Sequence, residues 1–303
     1  MYKHWEQAIW KIDPGAKLLR AWELKGGVSA QVTALQIEKS DGSLAKLVVR
    51  QHGKADRSRN PYIARDEFLL LQALKEAGLP ASAPYVVYDS EDSDYTPFIV
   101  TNFVEGISNI SLTDVPNAMT QLAAVLTDIH HVDREERSLH FLPQQIDLCS
   151  AKLEKRPEQM DNSLSEGRIR IVLESVWPLP QMNRDVLLHG DFWPGNIMWK
   201  DGCIAAVIDW EDAAQGDPLY DLANSRLEML WAYGVAAMLQ FTYQYQLRNS
   251  DLDFTKLSYW DLYAVLKPAS SLSDWGLEAD TERQMREKHR WFTDQAFAQI
   301  HPS

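Results

Sequence analysis

The stretch LLHGDFWPGNIMWKDGCIAAVIDWEDAAQGDPLYDLAN, from Leu187 to Asn224, constrains the fold more than any other part of the chain. Its apolar runs VLLH, NIMW and IAAVID have strand length, and the Asp201-Gly202 pair between the last two is a hairpin signal. Around these strands stand His189, Asp191, Asn196, Asp209, Asp217 and Asp221. A buried charge is costly unless something neutralises it, so these acids either tie loops together or hold a cation. A hairpin turning at Asp201 and Gly202 brings Asn196 and Asp209 to the same end, as diagonal neighbours roughly 7–8 Å or less apart. Amide and carboxylate oxygens suit one hard cation. Asp191 lies on the loop at that end and can face whatever the cation holds.

This is the layout that phosphoryl transfer uses: one carboxylate to orient and deprotonate a hydroxyl, with an Asn and an Asp for Mg²⁺ on nucleotide phosphates. Asp217, before Pro218, and Asp221, opening LANSRLEMLW, read as cap or loop-bracing residues. His189 reads as a hydrogen-bonding brace of the loop. HGDFWPGN followed by VIDWEDAAQGDPLYDLA resembles the paired signature of the aminoglycoside phosphotransferase and choline kinase-like family, small-molecule kinases with a protein-kinase-like fold. The resemblance implies Asp191 as catalytic base, Asn196 and Asp209 as Mg²⁺ ligands, and Asp217 and Asp221 as structural residues.

The rest of the chain divides to match. The first hundred residues alternate strand and helix signals, whereas the remainder is mainly helical. Around Gly106 a link separates an N-terminal nucleotide-binding lobe, 1–104, from a larger catalytic and substrate-binding lobe, 105–303. The expected fold is α+β: a small antiparallel sheet with a helix, then a mainly helical lobe. VTALQIE and SLAKLVVRQ flank an Asp41-Gly42 turn, and NPYIARDEFLLLQALKEAGLP gives an amphipathic helix ended by Gly78 and Pro80. PNAMTQLAAVLTDIHHVD supplies a core helix, whose His130 reads as a satisfied core histidine.

A kinase-like small lobe needs a loop over the phosphates, a cation on its third strand and a helix carboxylate to hold that cation. LKGGVSAQ offers Gly26 and Gly27, whose backbone N–H groups can approach phosphate, with Ser29 as a further donor. Arg50 follows the apolar run of LVVRQ and is preferred as the cation over Lys46, whose neighbours are polar. Helical phase favours Glu67 over Asp66 as its partner, because Glu67 lies one turn from Ile63 and Leu71. The link TNFVEG resembles the family's hinge, which implies that the backbone of Asn102 and Val104 meets the adenine edge. Met198 and Ile208 on the hairpin would form an apolar floor under the base.

In the resembled family the acceptor binds against helices of the larger lobe. Asp274, Trp275 and Glu278 in SDWGLEADTE are candidates to line that pocket, where carboxylates and an aromatic face suit an amine-bearing alcohol. The net charge of −13 agrees with a cationic partner or serves solubility, and no local cluster of Lys and Arg marks a nucleic-acid site. Cys149 and Cys203 read as free, buried thiols of a reducing compartment. With no apolar run near the roughly 20 residues of a membrane span, a cytoplasmic protein without membrane or nucleic-acid partners is expected. The function expected is an ATP- and Mg²⁺-dependent phosphotransferase acting on a small-molecule hydroxyl, with GTP as a second candidate donor. A kinase-like protein that binds nucleotide without catalysis is the alternative. A protein kinase fits less well, since only a short segment separates Asp209 from Gly216-Asp217-Pro218, with no long activation segment to seat a peptide.

Overall fold

The computed structural model describes residues 2–24, 30–89, 96–108, 114–158 and 160–300. Two compact units are present, the first made of Met1–Ile107, Met198–Lys200 and Ile204–Glu211, the second of the remaining residues.

In the first unit a helix, α1 (Tyr2–Ile12), precedes strands β1 (Lys17–Glu23), β2 (Ala30–Glu38) and β3 (Leu44–His52). Helices α2 (Lys54–Arg59) and α3 (Ile63–Glu76) follow, then β4 (Pro84–Tyr88) and β5 (Phe98–Asn102). The strands form one antiparallel sheet in the order β1-β2-β3-β5-β4. The β2–β3 hairpin turns at Asp41, whose carboxylate accepts from Ser43 N at 2.8 Å, and at Gly42, whose φ of +81° is the left-handed geometry that favours glycine. Alternation along each strand sorts the two faces: Leu35 and Ile37, Leu47 and Val49, Phe98 and Val100 point to one side and form a core with Trp5, Ala8 and Ile9 of α1. Because the period is two, Arg50 falls on the opposite face, paired across the ladder with Val32 and Ile99. No element was expected over the α1 segment.

The first unit also takes in most of a two-stranded hairpin, whose strands are β7 (Ile197–Lys200) and β8 (Cys203–Val207). Trp199 exchanges backbone hydrogen bonds with Ile107 at 2.9 and 3.0 Å, and Val207 N donates to Pro80 O at 2.7 Å. Gly106 permits this approach, since a Cβ there would meet the Trp199 carbonyl oxygen at 2.8 Å.

In the second unit, β6 (Val186–Leu188) pairs antiparallel with β9 (Ala214–Gly216), every residue of both strands being buried. Around them stand α4 (Val115–His130), α5 (Gln145–Glu154), α6 (Glu166–Val176), α7 (Leu219–Tyr233), α8 (Val235–Arg248), α9 (Leu257–Ala269) and α10 (Ala279–Ile300). Asp114 caps α4 by accepting from Asn117 N at 3.1 Å, and Met119, Leu122, Leu126 and Ile129 bury its apolar stripe. Helix α7 is buried on nearly every side over its first turns, so it is the central helix of this unit. Cys149 is buried as expected, but Cys203 is exposed, because it opens β8 directly after the Asp201-Gly202 turn. No described helix is long and apolar enough to cross a membrane.

Candidate active site

On the sheet unit the site is built around one guanidinium. Arg50 Nε lies 3.4 Å from Glu67 Oε2, while its Nη2 donates to Asp209 Oδ1 at 2.6 Å and to Glu211 Oε2 at 2.7 Å. His52 Nε2 approaches the same Glu67 oxygen at 2.8 Å. Helical phase turns Glu67 toward the sheet, whereas Asp66 points away and accepts from Asn60 Nδ2 at 2.7 Å. Burial works against the charge on Arg50, but the carboxylates of Glu67, Asp209 and Glu211 outweigh it and raise its pKa. Burial likewise opposes the Glu67 carboxylate, and Arg50 and His52 overcome it, holding its pKa below the usual range. Three carboxylates thus share one arginine, a surplus of negative charge on the hairpin end. Asp209 has a φ of +67°, uncommon outside glycine and tolerated by aspartate.

On the helical unit the site is a loop fastened at successive residues. Asp221 on α7 is fully buried and accepts from the backbone N–H of His189 at 2.7 Å and of Gly190 at 3.0 Å. Its Oδ2 also faces His130 Nε2 at 3.3 Å, and the other ring nitrogen of His130 meets the Tyr245 hydroxyl at 2.6 Å. Asp191 N donates to His189 Nδ1 at 3.2 Å, and Ser225 Oγ donates to Phe192 O at 2.9 Å. The Asn196 amide closes the loop, its Nδ2 donating to Asp191 O at 2.9 Å and to Asp191 Oδ2 at 3.2 Å. Asp217 braces the chain just before α7, accepting from Leu219 N at 2.9 Å.

Gly190 is the tightest point of this loop. Its φ is +84°, and a Cβ there would fall on the carbonyl oxygen of Asp212. Gly190→Ala is therefore expected to destabilise the fold by about 3–5 kcal/mol, from left-handed strain plus a backbone clash that no rotamer relieves. Urea unfolding monitored by tryptophan fluorescence measures it, and a loss within 1 kcal/mol of zero, on the order of an ordinary surface change, would contradict this account.

Two titratable residues near Asp191 escaped the sequence reading. Glu228 on α7 has its pKa pushed up to about 8 by burial and by the Asp191 charge, against the pull of Lys267. Lys267 on α9 is held charged: burial disfavours the ammonium, while Tyr220, Asp191 and Asp212 more than compensate. The spacing of Glu228, two helical turns after Asp221 on α7, was the signal available. Glu211 and His52 were missed as well, although each stands two residues along a strand or its extension from a residue that had been singled out.

The remaining candidates are less concentrated. Gly26, Gly27 and Ser29 lie outside the described residues. Asn102 ends β5 with its Oδ1 accepting from Ala83 N at 2.5 Å, and Val104 follows in the half-buried link. Met198 and Ile208 are half-buried on and just after the hairpin strands. Asp274 and Trp275 share a 3₁₀ turn, Leu272–Trp275, and with Glu278 are exposed; Trp275 packs edge-on to Trp231 with ring centroids 6.0 Å apart.

A divalent cation can be tested against the donors present. On the helical unit Asn196 has committed its Nδ2 to Asp191, which leaves Oδ1 as its atom for a cation; on the sheet unit Asp209 carries a carboxylate where acids exceed bases. Among the described residues no group of three or more His, Cys, Asp or Glu has metal-holding geometry. Amide and carboxylate oxygens are both ligand types that Mg²⁺ accepts.

The fold is that of the kinase-like aminoglycoside phosphotransferases. The GDP and kanamycin complex of APH(2")-IIIa superposes with a TM-score of 0.65 at 20% identity, covering 97% of this chain and 98% of that one. A thermostable APH(4)-Ia variant, solved with AMP-PNP and hygromycin B, gives 0.64 at 19% identity over 93% and 95%. Residues 22–249 match the Phosphotransferase enzyme family, and the chain belongs to that family. Among curated relatives, mouse acyl-CoA dehydrogenase family member 10 is 27% identical over 250 residues, 76% of this chain and 22% of that protein. The chain thus spans about a fifth of that relative's length. Escherichia coli hygromycin-B 4-O-kinase is 38% identical over 66 residues, 22% of this chain and 18% of that one.

Proposed function

We propose that the protein is a nucleoside triphosphate- and Mg²⁺-dependent kinase that phosphorylates a hydroxyl of a small molecule. The observation that carries this is the Asp191 loop: a carboxylate on a rigidly fastened turn, hydrogen-bonded to the amide of Asn196 five residues on, in a member of a phosphotransferase family. In this reading the acceptor oxygen attacks the γ-phosphorus, its proton passes to an Asp191 carboxylate oxygen, and the nucleoside diphosphate leaves. Asn196 and Asp209 would hold Mg²⁺, which when bound neutralises charge on the phosphates. Arg50, positioned by Glu67, would steady the nucleotide, and Gly26, Gly27 and Ser29 would cover its phosphates. The Asn102 and Val104 backbone would meet the base, and Met198 and Ile208 would pack under it. Residues 1–104 then serve as the nucleotide-binding lobe and 105–303 as the catalytic and acceptor lobe. ATP is the donor favoured, with GTP second, since one solved neighbour holds AMP-PNP and another GDP.

A titration of thermal stability separates this from a protein without nucleotide chemistry. Saturating Mg·ATP at about 100 times Kd is expected to raise the wild-type midpoint by about 5 °C. Asp209→Ala should lose most of that shift, and an equal shift in the variant would remove Asp209 from the metal site. A nucleotide-binding protein without catalysis would show the shift but release no ADP with any acceptor.

A further inference from the structure

The guanidinium of Arg50 is surrounded by acids but held by few hydrogen bonds. Its Nε faces Glu67 Oε2 at 3.4 Å as an ion pair without a hydrogen bond. The hydrogen bonds it makes among the described residues both start at Nη2, one to Asp209 Oδ1 at 2.6 Å and one to Glu211 Oε2 at 2.7 Å. Across the ladder its neighbours are Val32 and Ile99, so the adjoining strands offer it no other side-chain acceptor.

The two acceptors differ in setting. The Asp209 side chain is 30% exposed, whereas that of Glu211 is 12% exposed. Between them Trp210 is buried and its Nε1 donates to Val207 O at 3.1 Å, which fixes the backbone that carries Glu211. Asp209 is therefore the acid that a cation from solvent reaches, and Glu211 is set back with the arginine.

Two demands on Asp209 conflict. The kinase reading assigns Asp209 to Mg²⁺ and Arg50 to the nucleotide, yet in the structure the Asp209 carboxylate holds Arg50. A dication and a guanidinium on one carboxylate repel each other. Were Asp209 the sole acceptor, metal loading would release a long side chain whose freedom must be lost again before it can serve a ligand.

We propose that Glu211 is a positioning residue for Arg50: when Asp209 turns to the cation, Arg50 passes wholly to Glu211 and keeps the orientation that serves the nucleotide. This rests on the kinase reading of the site. Asp209 is the exchangeable partner and Glu211 the permanent one.

The consequence is measurable without any metal. While Asp209 is charged and free of cation it backs up Glu211, so the loss of Glu211 alone is masked; with Asp209 neutral, Arg50 depends on Glu211. Calorimetric titration of the full chain with ADP in EDTA, or with GDP where the wild type binds that more tightly, measures this in wild type, Glu211→Gln, Asp209→Asn and the double variant. Comparing the two backgrounds cancels the uniform gain from removing an acid near phosphate. Glu211→Gln should be more damaging to affinity in Asp209→Asn than in the wild type by about fivefold or more. With Mg²⁺ present, the same substitution should cost the wild type about fivefold more than it does in EDTA. Should Glu211→Gln not fold, Glu211→Ser takes its place in the cycle. Metal-free effects within about twofold of each other in the two backgrounds overturn the proposal. So does a loss that appears only with Mg²⁺, which would make Glu211 a ligand of the cation rather than a brace of the arginine. A wild type that binds neither nucleotide, with or without Mg²⁺, sinks the kinase reading and the proposal together, whereas binding with an additive cycle sinks the proposal alone.

Discussion

Asp191→Asn is expected to lower the phosphotransfer rate by about 10²–10⁴-fold, the usual contribution of a positioned general base, while the Mg·ATP thermal shift persists. The loop explains why the effect should be confined to chemistry. Its shape is set by Asp221, Ser225 and His189 acting on the backbone, and only one of the two Asn196 Nδ2 contacts goes to the Asp191 carboxylate. The other goes to the Asp191 carbonyl and survives the substitution. Single-turnover ADP release measures the step directly. A variant that keeps more than about a third of the wild-type rate, far outside that range, would remove Asp191 from the role of base.

Asp221→Ala should cost about 3–5 kcal/mol, because removing one partner of a buried charged network strands the others. The groups left behind are the N–H of His189, the N–H of Gly190 and the ring of His130. Burial by itself would raise the pKa of Asp221; its contacts with His130, the hydrogen bond foremost, and with His189, including the His189 backbone N–H, reverse this and lower it. A carboxylate whose pKa is depressed by folding contributes stability that is fully present above its unfolded value, near 3.9, and is lost as pH falls through the folded value. The wild type should therefore lose part of its thermal midpoint below about pH 4, and the variant, already without that contribution, should lose less over the same interval. Equal midpoints for the two proteins at pH 7 would mean that the backbone donors find water instead.

The sheet and the hairpin were legible because their residues follow a period of two and turn at Asp-Gly pairs. Leu47, Val49 and Arg50 could be sorted to faces from the sequence alone, and so could Glu67 against Asp66 from helical phase. Helix α1 was not legible: its buried stripe is Trp5, Ala8 and Ile9, interleaved with charged residues. Glu211 was not legible either, since nothing local indicates that Arg50, from a distant strand, would reach it. The grouping of Lys152, Lys155, Arg156, Arg170 and Lys267 around one pocket was not legible either. Its cations come from α5, the segment after it, α6 and α9, so no window of sequence contains them and the overall acidic balance pointed the other way. Local pattern reports elements, whereas a charge cluster assembled from several helices exists only in the folded chain.

The make-up of the first unit has a consequence for synthesis. Its backbone partners for Ile107 and Pro80 are Trp199 and Val207, so the N-terminal sheet emerges from the ribosome without a piece that arrives far later in translation. Contacts of such long sequence separation close late and slow folding. A nascent chain halted before Glu211 should expose that unfinished edge to chaperones, and a fragment cut after the first unit's opening segment should need residues 198–211 supplied as a peptide to become protease-resistant.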